Sequence, residues 1–203
     1  RVEGAGRTHH PVVAALVDLP PRTLLTAAGR GRAERRLQEL PSAALSRLRY
    51  RPVDGGLAEI DAVVVERSAL PRGVVPAVAA AARAWLQREV RVDVAAPAGA
   101  GELWTVAWRW WESRPRLAFR LAAPAVFGLP GVTTIEGLWE RQAYALAGAD
   151  PAGTAAIQGD ERRRTAVSLA DWATRNVRWE VGAALDRWAR DSYVSVAVAL
   201  DVR

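Results

Sequence analysis

The chain contains no cysteine, no methionine and no lysine. Without cysteine it has no disulfide framework, no thiolate nucleophile and no cysteine-ligated metal. Without lysine, all 28 basic residues are arginine, and against 22 acidic residues they give a net charge of +6. Arginine binds phosphate well, so the composition raises a nucleic-acid interpretation. The arginines are scattered along the whole chain, however, and a lysine-free, alanine-rich composition is typical of a GC-rich genome, so we expect no nucleic-acid partner.

Long apolar runs are also missing. A membrane-spanning helix needs about 20 consecutive apolar residues, and the best run, "PVVAALVDLPP", is broken by Asp18 and by prolines. Hydrophobic residues still make up 50% of the 203-residue chain, which is enough for a folded core and suits two small domains. The chain begins without methionine or a signal peptide and ends on the alternating segment "VSVAVALDVR". We therefore expect a fragment of a longer protein.

Residues 1–70 are predicted to follow the order β-α-α-β-β. "RVEGAGR" ends a strand, and "HHPVVAALVDL" has helical spacing through Val12, Leu16 and Leu19. Thr23 is positioned to cap a second helix, "LLTAAGRGRAERRLQEL", with leucines on one side and arginines on the other. "SAALSRLRYRPVDGGLAEIDAVVVER" is typical of a hairpin that turns at "DGG".

These residues resemble a POTRA (polypeptide-transport-associated) domain, the periplasmic module of outer-membrane assembly and secretion proteins. The resemblance is strongest in the hairpin "RLRYRPVDGGLAEIDAVVVER", and the two helices match in length and order. It implies an exposed strand that pairs with an extended client polypeptide by strand addition. The candidate client-pairing residues are Leu45, Leu48 and Tyr50.

Residues 71–88 differ in composition from both neighbours. "PRGVVPAVAAAARAWLQRE" is rich in alanine, which favours a helix from about Ala77 to Arg88. We interpret this stretch as a helical linker between two domains. Its Trp85 and Leu86 are expected to pack under the segment that follows.

After Arg88 the hydrophobic period changes to two, which is the period of a half-buried strand. Seven consecutive segments alternate, and turns such as "PAGAGE", "ESRP" and "DRWARDS" separate them. The sequence therefore predicts an antiparallel meander of about seven strands over residues 89–203. Within each segment the apolar residues occupy every second position, and we expect them to share one face of the sheet. They include Val90, Val92, Val94, Trp104, Trp108, Trp110, Leu117, Phe119, Leu121, Val167, Leu169, Trp179 and Val196.

Alternation alone leaves two environments open for the apolar face, because a membrane barrel turns it to lipid and a soluble β-sandwich turns it to a second sheet. Two features favour lipid. The segments are longer than ordinary soluble strands, and tryptophan is enriched at membrane interfaces. The candidate lipid-facing residues are Trp104, Trp108, Trp110, Phe119 and Trp179. The alternative is a soluble α+β module joined to a ligand- or partner-binding β-sandwich.

A POTRA-like module followed by such a meander resembles the BAM and TAM type of outer-membrane assembly barrel, also called the bacterial surface antigen family. The resemblance covers nearly the whole chain, and "DWATRNVRWEVGAALDRW" is its most family-like barrel stretch. It implies a non-enzymatic protein of the bacterial outer membrane, with its N-terminal domain in the periplasm. Val90, Val92 and Val94 would form the first barrel strand, at a seam, and further strands would follow Arg203. The implied partners are outer-membrane lipid, unfolded outer-membrane or secreted polypeptides and accessory assembly proteins, without a cofactor.

Three other motifs are weaker candidates for chemistry. His9 and His10 are the only histidines and have no carboxylate at ligand spacing, so we predict no metal site. "GRGR" at 29–32 lacks the lysine and hydroxyl residue of a phosphate loop, and we place it on a helix surface. Asp160, Glu161 and the arginines at 162–164 are predicted to form a solvated turn.

Four charged residues alternate with the apolar parity on the later segments. Glu136, Glu140, Arg178 and Glu180 would all project to the lumen of a barrel. An interior ion-pair network is the structural interpretation, and a catalytic carboxylate pair, as in an embedded hydrolase, is the alternative. We predict no catalytic, cofactor or metal residue.

Overall fold

The computed structural model describes residues 1–55, 57–68, 74–145, 157–189 and 191–203. The described strands form two sheets, one of three strands and one of seven. No helix in this part of the chain combines the length and the apolar character that crossing a membrane requires.

The N-terminal sheet and its helices follow the predicted β-α-α-β-β order. Their bounds are β1 Val2–Glu3, α1 His10–Val17, α2 Ala27–Gln38, β2 Ala43–Val53 and β3 Leu57–Glu66. The strand order is β1-β3-β2, with β1 parallel and β2 antiparallel to the central β3. Strand β2 is therefore an edge of this sheet.

One hydrophobic core joins the two helices to the sheet. Val13 and Leu16 of α1, Leu37 of α2 and Val64 of β3 are almost completely buried in it. Of the residues predicted for the inner face of α1, Leu16 is buried and Leu19 packs partly against the core, whereas Val13 and Val17 are buried in place of Val12.

The second helix begins later than predicted. Thr26 caps it, because its hydroxyl accepts a hydrogen bond of 3.0 Å from the Gly29 N–H, whereas the Thr23 hydroxyl donates to the Pro20 carbonyl. Pro20 starts a turn that the chain completes before the helix begins, which leaves Leu24 90% exposed. The predicted division of leucine and arginine sides also fails at Arg36, which is buried.

The helix that precedes the large sheet, α3, spans Val74–Gln87. Trp85 and Leu86 are 82% and 81% exposed, so the prediction that they pack under the following segment is wrong. The carbonyl oxygen of Gln87 accepts from the Trp111 indole at 2.7 Å, which holds the end of α3 at one end of the large sheet.

The large sheet is a single antiparallel meander of seven strands, as the alternation predicts. The strands are β4 Glu89–Ala95, β5 Leu103–Arg109, β6 Arg116–Pro124, β7 Val132–Ala145, β8 Ile157–Trp172, β9 Val177–Trp188 and β10 Asp191–Val202. Each pairs with the next in sequence, so β4 and β10 are the edges of the described sheet. The predicted turn at 160–164 is wrong, because these residues lie inside β8.

The two ends of this meander differ in what they contact. The turns at 96–102, 125–131 and 173–176 lie at one end, called the near end, where the N-terminal module docks. The opposite, far end contains the turn at 110–115 and the start of β4. The chain therefore passes from the near end to the far end of the sheet between β3 and β4. Helix α3 accounts for about 21 Å of this distance.

Glu66 holds the loop that leads into α1. Its carboxylate accepts hydrogen bonds from the backbone N–H groups of Arg7 and Thr8, the latter at 2.7 Å, and from Arg7 Nε at 3.3 Å. Burial alone would raise the pKa of this carboxyl, but the donors from Thr8 and Arg7 outweigh burial and hold the pKa below its ordinary value.

We expect E66Q to lower the free energy of unfolding of the N-terminal module by about 1–3 kcal/mol at neutral pH, because buried N–H donors lose a charged acceptor. The folded-state pKa lies below the unfolded-state value, so the Glu66 contribution is complete above about pH 4.3 and disappears as the pH falls through the folded-state pKa. Hydrogen exchange of the α1 amides in the full chain, corrected for the intrinsic rate at each pH, measures this difference.

The matched control is E59Q, on the same strand. Glu59 pairs with Arg51 at the exposed sheet edge, where ion pairs contribute little, so we expect its α1 exchange to match wild type. An E66Q effect that stays the same at low pH would contradict the assigned role of the carboxylate.

Candidate membrane-facing surface and junction of the two sheets

Strand register gathers the apolar residues of the large sheet onto one face. Successive Cα partners run across five strands as one row: Val94, Trp104, Leu121, Ile135 and Val167. Because side chains alternate strictly along each strand, one aligned row places all residues of the same parity on the same side. The predicted alternation of separate segments therefore becomes one continuous apolar face.

This apolar face has no cover among the described residues. The hydrophobic core lies entirely within the N-terminal module, and the larger apolar side chains of β10 that share the face are 68–77% exposed. These are Val194, Val196, Val198, Leu200 and Val202. A soluble protein rarely leaves so large a contiguous apolar surface in water, so such a surface marks a membrane or a protein partner.

The predicted lipid-facing residues lie on this face. Register places Trp104, Trp108, Phe119 and Trp179 there, and Trp110 follows one residue after the end of β5 with the same parity. The Trp104 and Phe119 rings meet edge to face with centroids 5.8 Å apart, and the Trp108 and Trp110 rings meet at 5.2 Å. Such geometries are favourable for aromatic pairs.

The opposite face holds a network of ion pairs. Arg120 pairs with Glu136 across β6 and β7 at 3.5 Å, Arg162 pairs with Glu140 at 3.4 Å, and Arg178 pairs with Glu180 at 3.0 Å. The predicted ion-pair network is therefore present for these charges. Each of the three carboxylates has an arginine partner, which favours a structural role over catalysis.

The polar face also contains residues that the sequence analysis assigned to a solvated turn. Arg162 and Arg164 both contact Asp186 of β9, and the Arg162 guanidinium lies 4.9 Å from the Trp188 ring centroid. The two-residue spacing of these arginines is typical of a strand. The run of five charged residues at 160–164 was instead interpreted as a turn. Residues of β8 at 162 and 164 therefore belong to the polar face.

Arg36 of α2 forms a buried ion pair with Asp171 of the large sheet, which no sequence pattern predicted. Its Nε and Nη2 donate to both Asp171 carboxylate oxygens at 2.8 and 2.6 Å, and its Nη1 donates to Asp18 at 2.8 Å. The Arg36 and Asp171 side chains are 6% and 4% exposed. Burial alone would lower the pKa of Arg36, but Asp171 and Asp18 raise it, so the guanidinium stays charged. No sequence signal connects residues so far apart.

Backbone contacts complete the junction. The His9 N–H donates to the Gly99 carbonyl at 2.8 Å, and the Ser42 N–H donates to Gly101 at 3.1 Å. Gly101 has a φ of +71° and touches Leu40 of the module core, so a side chain would be strained and crowded there.

The predicted helix-surface position of the "GRGR" motif is wrong at one residue. Gly31 is buried, and a Cβ at this position would lie 2.9 Å from the Arg175 side chain, in the turn between β8 and β9. Glycine therefore permits close approach of α2 to that turn. On the other side of the junction, Arg178 of β9 reaches Glu39 at 2.9 Å.

The two predicted pairing strands lie at sheet edges. On β2, Leu45 and Tyr50 are 67% and 48% exposed and Leu48 is partly buried against the module core. On the first strand of the meander, Val90, Val92 and Val94 belong to β4, whose outer edge has no paired strand in the described chain. Those same parts of the chain contain no group of three or more histidine or acidic residues able to hold a metal.

Fold and surface together define a class of structure: an antiparallel β-meander with one continuous apolar face, joined at its near end to a β-α-α-β-β module. No protein-family model matches the chain, and no curated protein sequence matches it significantly. Among solved structures, CdiB from Escherichia coli matches 98% of the chain with 13% identity and a TM-score of 0.54, and BamA from Haemophilus ducreyi lacking POTRA domains 1–3 matches 98% with 12% identity and a TM-score of 0.48.

The chain covers 38% of the CdiB structure and 42% of the BamA structure. The chain shares its fold with the matched part of CdiB. At this identity the likeness concerns the fold alone.

We expect R36M to destabilise the junction by about 3–5 kcal/mol, because Asp171 would be left buried without its charge partner. The double variant R36M/D171L is expected to recover part of this loss, since neither charge remains. Hydrogen exchange of the α2 amides and of the turn at 173–176 in the full chain measures both effects.

The control is R32M, one helical turn earlier in α2, which removes an arginine without touching Asp171. If R32M loosened the turn at 173–176 as much as R36M does, the bidentate pair would not be what holds the junction.

Proposed function

We propose that the chain is part of a bacterial outer-membrane β-barrel protein that assembles or translocates other polypeptides. The observation that supports this most directly is the uncovered apolar face of a single meander, with an ion-paired polar face behind it. A transmembrane barrel has this arrangement, with lipid outside and a polar interior. The fold likeness to CdiB agrees with it.

The height of the apolar face suits a membrane. On β9 it runs from Val177 to Leu185, which is about 30 Å along the strand at about 3.3 Å per residue. A barrel strand tilted by about 40° would cover about 23 Å of membrane with this segment, close to the apolar band of about 25 Å on known outer-membrane barrels.

Orientation follows from the junction. The N-terminal module has a hydrophobic core of its own and docks at the near end through contacts such as Arg36 with Asp171 and His9 with Gly99, and the POTRA domains that it resembles are periplasmic. We therefore assign the near end and the POTRA-like module, residues 1–70, to the periplasm. The linker 71–88 and the partial barrel 89–203 complete the proposed domain organisation.

Client handling is assigned to sheet edges. Edge strand β2 presents unpaired backbone groups beside the exposed Leu45 and Tyr50, and an extended polypeptide can add to such an edge without a particular sequence. In the large sheet, β4 has seven residues and β10 has twelve. A short first strand makes fewer hydrogen bonds, which suits a seam that opens. Accessory assembly proteins remain part of this proposal.

The second candidate is the soluble α+β protein with a β-sandwich. It requires a second sheet over the apolar face, whereas the described strands from β4 to β10 all belong to one sheet. The described residues supply no such second sheet, so we prefer the membrane.

Substitution V198R tests whether the apolar face meets lipid. Val198 lies at the middle of the apolar face of β10, opposite Val181, and an arginine at the bilayer midplane costs about 2–4 kcal/mol. We expect V198R to lower the stability of the full-length protein that contains this chain, folded in lipid vesicles, by this amount, as measured by urea titration with heat-modifiable migration as the readout of the folded barrel.

The matched control is A197R on the neighbouring position. Ala197 belongs to the polar parity, opposite Gly182, so we expect a change within about 0.5 kcal/mol. Equal effects of V198R and A197R, or full solubility of the folded chain without detergent, would favour the soluble candidate.

Strand addition to β2 can be tested with cysteines, because the chain has none of its own. We expect R49C on β2 to form a disulfide with a peptide of sequence 191–202 that contains one central cysteine. Q38C, exposed on α2, is the control and should react much less. Equal yields from R49C and Q38C on a denaturing gel would argue against β2 as the pairing edge.

A further inference from the structure

Three arginines lie together on the apolar side of the large sheet, at its far end. Arg141 of β7, Arg163 of β8 and Arg187 of β9 have the parity of the apolar face, not of the ion-paired polar face. All three are exposed. We call this group the outer basic cluster.

The cluster begins where the apolar face ends on each strand. On β9, Arg187 is the next residue of the same parity after Leu185, and on β7, Arg141 follows Trp139 in the same way. On β8, Arg163 follows Thr165 and lies directly opposite Trp139. Three adjacent strands thus change from apolar to basic at a similar distance from the near end, and a tryptophan lies at the boundary.

The charges of this cluster are not balanced within the described chain. Arg163 and Arg187 are direct cross-strand partners, an arrangement that is unfavourable for like charges. The nearest carboxylate, Glu161, pairs with Arg163 at 2.6 Å and is the cross-strand partner of Arg141. Arg187 has no ion pair within the described part of the chain. By contrast, Arg162 and Arg164 on the polar face are both compensated by carboxylates.

We propose that the outer basic cluster binds the anionic phosphate groups of lipids in the membrane leaflet farther from the N-terminal module. This inference rests on the proposed membrane location of the sheet. Because the outer basic cluster lies at the edge of the apolar face, its guanidinium groups would lie at the depth of the lipid headgroups. The aliphatic parts of the arginine side chains would pack against the apolar face. Guanidinium groups bind phosphate oxygens in pairs, and a bound phosphate would relieve the repulsion between Arg163 and Arg187.

A lipid fits this surface better than a free anion does. The three arginines line an open cavity on the exposed sheet face that also contains the Glu161 carboxylate, so a small free anion would meet a negative charge there. A phospholipid adds the contact of its acyl chains with the apolar face below, including Trp139 and Leu185. Strong binding therefore requires both the phosphate contact with the arginines and the acyl-chain contact with the apolar face.

The test compares lipid affinity of the full chain folded in detergent. Energy transfer from tryptophan to dansyl-labelled lipid measures binding of phosphatidylglycerol and, separately, of zwitterionic phosphatidylcholine. We expect wild type to prefer phosphatidylglycerol. Each arginine near an anionic headgroup contributes about fivefold in affinity, so R141Q/R163Q/R187Q should lose this preference by up to about a hundredfold. The triple lysine variant should retain most of it, because lysine keeps the charge.

The charge-matched control is R1Q/R22Q/R30Q, three exposed arginines of the N-terminal module outside the pairing strand β2, which should bind as wild type does. The inference is overturned if the glutamine triple variant keeps its preference, if the control loses as much, or if inorganic phosphate competes fully with the lipid. Heat-modifiable migration of every variant separates the two proposals. A full-length protein containing this chain that never folds as a barrel overturns the proposed function, whereas folded variants without lipid discrimination overturn only the basic cluster.

Discussion

The rest of this structure depends on the strict alternation of side chains along paired strands. Seven strands keep a register in which Trp104, Leu121, Ile135 and Val167 fall in one row, so apolar and charged residues separate onto opposite faces. A slip of one residue between any two strands would turn tryptophans toward the ion pairs and arginines toward the apolar side. The cross-strand ion pairs on the polar face oppose such a slip, because Arg120 reaches Glu136 only in this register.

The two sheets satisfy the hydrophobic effect in different ways. The N-terminal module buries Val13, Leu16, Leu37 and Val64 in a core of its own. The large sheet buries mainly small or junction residues, such as Ala122 and Ala170, and exposes its large ones. Burial of apolar surface is the main favourable term in folding. The module obtains this term by burying its own residues, whereas the meander needs its surroundings to remove its apolar face from water. Lipid supplies that term for a barrel.

The strands of the meander could be predicted from the sequence because period two is a local signal, present within each segment. The order β-α-α-β-β was also predictable from local spacing. The start of α2 was harder to predict. Thr23 and Thr26 are both residues that commonly cap a helix, and only the turn that begins at Pro20 decides between them. The junction could not be predicted at all, since Arg36 and Asp171 meet through the packing of separate domains and no local pattern marks either one. The arginines at 162–164 were misassigned because their charge hid their alternation, which becomes visible only beside Asp186.

The chemistry of the junction has a consequence for how module and meander are joined. Arg36, Asp171, Arg178 and Glu39 connect them through directional contacts, beside the close approach of Gly101 to Leu40. Directional polar contacts fix an orientation but lose much of their strength when water enters. An apolar junction would instead be weakened by nearby lipid, which competes for the same surface. A junction made of buried ion pairs is therefore suited to the boundary between a membrane-embedded sheet and a water-exposed module, because the acyl chains of lipids cannot replace its partners.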